Sequence, residues 1–207
     1  MSIIAIVGNK GGAGKTTLSM NIATGLNNRS RTAIIDADPQ RSSLQWNAFS
    51  ESDALSVFAA EESLGEQVNE LQQDYDRIVI DCPPSVYAPQ THKALVASEH
   101  AIIPVQPSPM DLWATVHIAE AVEKAQETNP ELKPLLVINQ LEPRTVLSRL
   151  VRDAVREIGI PVADAMIRRR AIFRSSALEG KSVYEVGRRG EDAVEELEKL
   201  IQEILSK

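Results

Sequence analysis

The sequence predicts an α/β fold: a single doubly wound, mostly parallel sheet with helices on both faces, one domain spanning residues 1–207. Three observations predict it. Short apolar runs alternate with stretches of helical periodicity along the whole chain, the pattern of strand–helix–strand units. The first apolar run leads at once into a glycine-rich turn and a helix start. No internal repeat, low-complexity tract or linker interrupts the 207 residues, a length that one core can bury.

Taken in order, Ile3-Ile4-Ala5-Ile6-Val7 has the length and continuous apolarity of a strand buried on both faces. Lys10-Gly11-Gly12-Ala13-Gly14-Lys15-Thr16-Thr17 follows, and helical periodicity begins within it, over 16–28. Further strands are expected at 32–35, 77–80, 101–105 and 135–138, with weaker ones at 56–59 and near 160–162. Helices are expected over 40–49, 63–73, 90–98, 111–127, 146–157 and 191–206.

The glycine turn has the context a phosphate-binding loop needs. Glycines let backbone N–H groups close around phosphate oxygens, and the helix N-terminus adds its positive dipole end. Lys15 is then placed to reach the β- and γ-phosphates, and the Thr16 hydroxyl to sit on Mg²⁺. The pattern G-x-x-x-x-G-K-[ST] departs at one position, where Asn9 stands in place of glycine, and a second lysine, Lys10, heads the loop. In this K-G-G-x-G-K-T-T form, a deviant Walker A motif, the chain resembles the ParA/MinD-type ATPases.

Ligands on a doubly wound sheet bind beyond the carboxyl ends of the strands, so the residues just after each strand carry the chemistry. After 32–35 comes Asp36-Ala37-Asp38-Pro39-Gln40. The resemblance implies that Asp38 acts on the hydrolytic water and that Asp36 lies nearer the metal's water shell; the bland alternative for Asp38 is a helix cap. After 77–80 comes Asp81-Cys82-Pro83-Pro84-Ser85, and an apolar strand ending in Asp is a Walker B pattern, its carboxylate holding Mg²⁺ directly or through water. Cys82, the only cysteine, has no visible base partner and reads as a packed small residue. After 101–105 the proline-rich stretch to Trp113 contains Pro107 and Asp111, which the resemblance places near the nucleotide and the subunit interface. Asp111 alternatively caps a helix, and Trp113 is either an interface anchor or core. Asn139, after 135–138, resembles the family's adenine-edge residue, with a plain turn asparagine as the rival reading.

The last third changes character. Between residues 144 and 189 there are eleven Lys or Arg against five Asp or Glu, a balance of +6 in a chain whose net charge is −7. Arg144, Arg149, Arg152 and Arg156 recur near helical spacing; Arg168, Arg169, Arg170, Arg174, Arg188 and Arg189 follow. Such asymmetry builds a basic face suited to non-specific phosphate-backbone contacts, unless it is only solvated surface. The resemblance implies the former: nucleoid DNA bound through Arg152, Arg168, Arg169, Arg170, Arg174, Arg188 and Arg189. The final stretch has an apolar stripe of Val194, Leu197, Leu200, Ile201, Ile204 and Leu205, but its polar face is acidic. Anionic lipid would repel it, so it reads as core packing and no membrane partner is expected.

With a single cysteine, no apolar run of spanning length and a strand pattern at the very start, the chain is expected in the cytoplasm, associated with the nucleoid. The resemblance implies ATP and Mg²⁺ as cofactors, a homodimer when ATP is bound, and Lys10 reaching across to the partner's phosphates. It also implies hydrolysis stimulated by a ParB-like or other cargo adaptor, the cargo being a plasmid or a protein organelle such as the carboxysome. The rivals are a MinD-like membrane ATPase and a metabolic enzyme of the dethiobiotin-synthase type. An iron–sulfur reductase needs more cysteines than this chain has.

Overall fold

The computed structural model describes residues 2–51, 55–142 and 158–206, without the side chains of 109–112. Six strands, β1 (Ser2–Ile6), β2 (Thr32–Asp36), β3 (Ser56–Ala59), β4 (Arg77–Asp81), β5 (His100–Val105) and β6 (Lys133–Ile138), form one sheet in the order β3-β2-β4-β1-β5-β6. Every described pairing is parallel. The helices are α1 (Lys15–Asn27), α2 (Ser42–Ala48), α3 (Leu64–Leu71), α4 (Pro89–Ala97), α5 (Pro109–Gln126), α6 (Ala171–Leu178) and α7 (Glu191–Ser206).

The period-2 alternation of a strand sorts the core into two layers. Along β1 and the residue after it, Ile3, Ala5 and Val7 join one layer with Ile78, Ile80, Ile103 and Leu95. Ile4 and Ile6 point the other way, into a layer with Ile22, Leu26, Val79, Leu197 and Ile201. Because β1 is covered on both sides, every residue after Ser2 is apolar, and this run makes it legible. The chain builds one way from β1 through β2, β3 and β4 and the other way through β5 and β6. The carboxyl end of β1 therefore lies where the winding reverses, and the glycine loop follows it.

Three expectations are corrected. The run near 160–162 is not a strand: it makes one bridge, Val162 to Leu136, and a second bridge joins Arg168 to Leu141. Pro161 has no N–H to give a ladder, although its carbonyl accepts the Leu136 N–H at 2.8 Å, so the segment only flanks the edge of β6. α5 begins at Pro109 with Ser108 at its N-cap, so Asp111 falls in the first turn and is not the cap; the fixed φ of proline favours that start. α6 occupies a stretch that reads in the sequence only as a basic run. The helix expected over 146–157, with Arg144, Arg149, Arg152 and Arg156, lies outside the described residues, as does the side chain of Asp111.

Candidate nucleotide site

The loop between β1 and α1 takes the conformation that its glycines permit. Gly12 and Gly14 have φ of 81° and 91°. Gly14 is fixed twice over, since a Cβ there would also lie 2.5 Å from the Asn139 amide nitrogen. Lys15, the first residue of α1, is 7% exposed, and its ammonium donates to the Lys10 carbonyl at 3.1 Å. Burial holds its pKa below the usual lysine value, against the opposing pull of Asp81 and Asp38. A desolvated ammonium beside a helix N-terminus is suited to pairing with an anion.

Beneath the loop, Asp81 ends β4 with no exposed surface. Its carboxylate accepts the Ser43 hydroxyl at 2.7 Å and the Ser19 hydroxyl at 3.1 Å, and it also hydrogen-bonds Thr16. Desolvation nevertheless pushes its pKa up to about 6, because hydroxyl donors only partly replace water around a charge. Asp36, paired with Asp81 in register across β2 and β4, accepts the Leu44 N–H at 3.0 Å and the Asp38 N–H at 3.1 Å; its pKa is also raised by burial. Asp38 is half-buried and accepts the Gln40 N–H at 2.9 Å. It lies in the turn ahead of α2, whose N-cap is Arg41, so it does not cap that helix. The structure thus brings Lys10, Lys15, Thr16, Asp36 and Asp81 to one end of the sheet, with Asp38 in the adjoining turn.

Among the described residues no group of three or more His, Cys, Asp or Glu could hold a metal ion unaided. Mg²⁺ is ordinarily held by one or two carboxylates together with substrate phosphates. The raised pKa of buried Asp81, with the Thr16 hydroxyl against it, fits a cation arriving with phosphates.

On the far side of the loop, Gly14, Thr17, Asn139, Gln140, Ile167, Phe173, Arg168, Arg169, Arg170 and Arg174 line a cavity of about 130 Å³. Asn139 donates its amide to the Ala13 carbonyl at 2.7 Å while facing this cavity. Pro107, after β5, is half-buried, and Gly11 is exposed. Nothing in the sequence joins residues 14–17, 139–140 and 167–174; only the fold of 161–170 along β6 does so.

The basic residues are less free than their sequence suggests. Arg170 pairs with Glu196 at 2.8 Å and Asp192 at 2.7 Å, and Arg168 with Glu196 at 3.5 Å. Arg169 meets Glu142 and Arg189 meets Glu179 in more open pairs. The acidic face of α7 therefore serves partly to hold this segment: Glu196 also accepts the Arg168 N–H, and Glu203 those of Asp164 and Ala165. Its apolar stripe packs in the core through Leu197, Leu200, Ile201 and Ile204. No described helix is long and apolar enough to cross a membrane. Trp113 is 69% exposed and so is not core, whereas Cys82 is fully buried with its thiol pKa pushed up by desolvation.

A parallel sheet in this order, a glycine loop gripping a buried lysine and an aspartate closing the neighbouring strand define the phosphate-binding-loop NTPase fold of the ParA/MinD type. The chain belongs to the CobQ/CobB/MinD/ParA nucleotide-binding domain family, whose model matches residues 4–183. It is 36% identical over 206 residues to maintenance of carboxysome distribution protein A of Halothiobacillus neapolitanus, covering 98% of this chain and 95% of that one. Two solved structures share the fold. A plasmid partition protein of Borrelia burgdorferi bound to AMPPNP superposes with TM-score 0.81 at 20% identity, covering 99% of this chain and 98% of that one. An ATP complex of an Asp-to-Ala variant of Cyanothece McdA superposes with TM-score 0.79 at 16% identity, covering 100% and 96%.

Proposed function

We propose that this chain is a Mg²⁺-dependent ATPase that dimerises on ATP, holds nucleoid DNA without sequence preference and distributes carboxysomes through adaptor-stimulated hydrolysis. The observation that carries the catalytic part is the joined set of buried Lys15, Thr16 on buried Asp81, and Asp36 beside Asp38 at one end of the sheet. The cargo rests on 36% identity along nearly the whole of both chains to a carboxysome distribution protein.

In this reading Lys15 and the loop N–H groups bind the phosphates, and Thr16 and Asp81 hold the metal with Asp36 nearby. Magnesium, when bound, neutralises charge on the phosphoryl oxygens. Asp38 orients the attacking water. Lys10 lies at the exposed head of the loop and reaches a second subunit's phosphates, so that each site is completed by its partner. Anything that binds only the dimer then stabilises it, which couples DNA and adaptor to the nucleotide cycle.

The test is Asp38→Ala, with hydrolysis, AMPPNP affinity and sedimentation measured together, and the labelled variant imaged beside labelled carboxysomes. The expected outcome is hydrolysis reduced by at least about 100-fold with AMPPNP binding retained, a persistent ATP dimer, and clustered carboxysomes. Turnover at the wild-type rate overturns the role of Asp38; normally spaced carboxysomes without the functional protein overturn the cargo.

A further inference from the structure

Three side-chain amides from the ends of two strands converge on two consecutive carbonyls of the phosphate loop. Gln106, just beyond β5, donates Nε2 to the Gly12 carbonyl at 2.6 Å. Gln140, just beyond β6, donates Nε2 to the same oxygen at 2.9 Å. Asn139 donates Nδ2 to the Ala13 carbonyl at 2.7 Å. The sequence separations of 94, 128 and 126 residues mean that only the completed sheet can assemble this clamp. Gln140 takes part from a backbone φ of 55°, a left-handed conformation that side chains other than glycine rarely adopt. An uncommon conformation at a site edge, occupied by a glutamine whose amide is in use, points to a role for that amide.

A peptide plane fixes its consequence. In a trans peptide the N–H points opposite to the C=O of the same plane, so a carbonyl held from one side directs the next residue's N–H to the other. Bonds to the Gly12 and Ala13 carbonyls thereby set the directions of the Ala13 and Gly14 N–H groups, two donors that a phosphate takes from such a loop. Gly11, Gly12 and Gly14 would otherwise leave the loop free to sample many conformations, and ordering it would oppose binding.

We infer that Gln106 and Gln140 are positioning residues: they hold the loop in its phosphate-accepting conformation before the nucleotide arrives, with Asn139 locking the adjoining peptide. The inference rests on the nucleotide-site reading above. Preorganisation of this kind acts on binding and not on the chemical step, so removing it raises KM and leaves kcat almost alone.

The experiment compares wild type, Gln140→Gly, Gln106→Ala and the double variant by AMPPNP titration with Mg²⁺, steady-state ATP hydrolysis and thermal melting. Glycine accepts a φ of 55° readily, so Gln140→Gly removes the amide without straining the backbone. The double variant is expected to bind AMPPNP about tenfold more weakly, with a matching rise in KM, kcat within about twofold of wild type, and an unchanged melting temperature. Wild-type affinity in the double variant overturns the clamp alone. A wild-type chain that bound no AMPPNP would overturn the nucleotide site and the clamp with it.

Discussion

At the scale of single residues, Asp81 shows a functional group held at the expense of stability. Three hydroxyls surround it, yet burial keeps its pKa near 6, well above the 3.8 of a free aspartate. A carboxyl whose native pKa is raised binds more protons folded than unfolded. Its contribution to stability is therefore full below about pH 4 and is lost as pH rises to about 6. At roughly 1.4 kcal/mol per pKa unit, the ionised carboxylate costs the fold on the order of 2–3 kcal/mol at neutral pH. Asp81→Asn is expected to stabilise the metal-free, nucleotide-free chain by about that amount at pH 7.5, with almost no gain at pH 4. Thermal melts of both proteins across that range check it. The same variant should lose most of the Mg²⁺ dependence of AMPPNP binding, because an amide replaces the one wholly buried carboxylate among the candidate ligands. A variant no more stable than wild type at pH 7.5 would mean that the hydroxyls solvate the charge fully.

At the scale of elements, α1 carries the phosphate loop at one end and packs against α7. Gly25 permits that approach: a Cβ there would collide with the Tyr184 hydroxyl and come within 2.7 Å of Ile201 Cδ1. Gly25→Ala, which raises helix propensity, is nevertheless expected to destabilise the fold by about 1–3 kcal/mol, the usual result of overpacking, seen as a lower urea midpoint at unchanged AMPPNP affinity. The sequence reveals neither this contact nor the partners of the α7 acids, because each joins segments far apart in the chain. What it does reveal is whatever a contiguous run encodes. Five of the six strands are legible because burial demands an apolar run, β3 being only partly buried and weaker in the sequence, and the phosphate loop because glycines, lysine and threonine must be adjacent to act. Asp36 and Asp81 are legible because they close strands, and Asp38 because it comes two residues after one. The cavity beside Gly14 is not, since its walls come from residues 14–17, 139–140 and 167–174. Nor is the amide clamp, whose glutamines look like ordinary loop residues until the sheet places them over Gly12.

At the scale of the whole molecule, the proposed DNA binding has to be reconciled with a net charge of −7. A dimer would double the repulsion, so such binding would depend on where the positive charge lies and how much of it is already neutralised. Arg170 is a poor candidate for direct contact: it is 22% exposed and pinned to Glu196 and Asp192, so charge reversal there disrupts the anchoring of its segment to α7. Arg168, Arg169 and Arg174 line the cavity beside the phosphate loop, and replacing them tests nucleotide and DNA together. Arg188 and Arg189 separate the two. They sit in an exposed turn just ahead of α7, outside that cavity, and the link from Arg189 to Glu179 is an open 3.5 Å pair of the kind worth little in water. Phosphate contacts release counterions, and each one lost reduces the magnitude of the log–log salt slope by about 0.9. Two arginines in each subunit of a dimer supply at most four such contacts. Arg188→Glu with Arg189→Glu is therefore expected to weaken DNA binding by at least about tenfold at low salt and to flatten the slope by about 2–4. AMPPNP affinity and ATP-driven dimerisation should stay at wild-type levels. Titration of a labelled duplex of arbitrary sequence across a salt series reads both quantities. An unchanged slope would place the DNA-contacting charge on the arginines nearer the nucleotide, where binding of the two polyanions would compete.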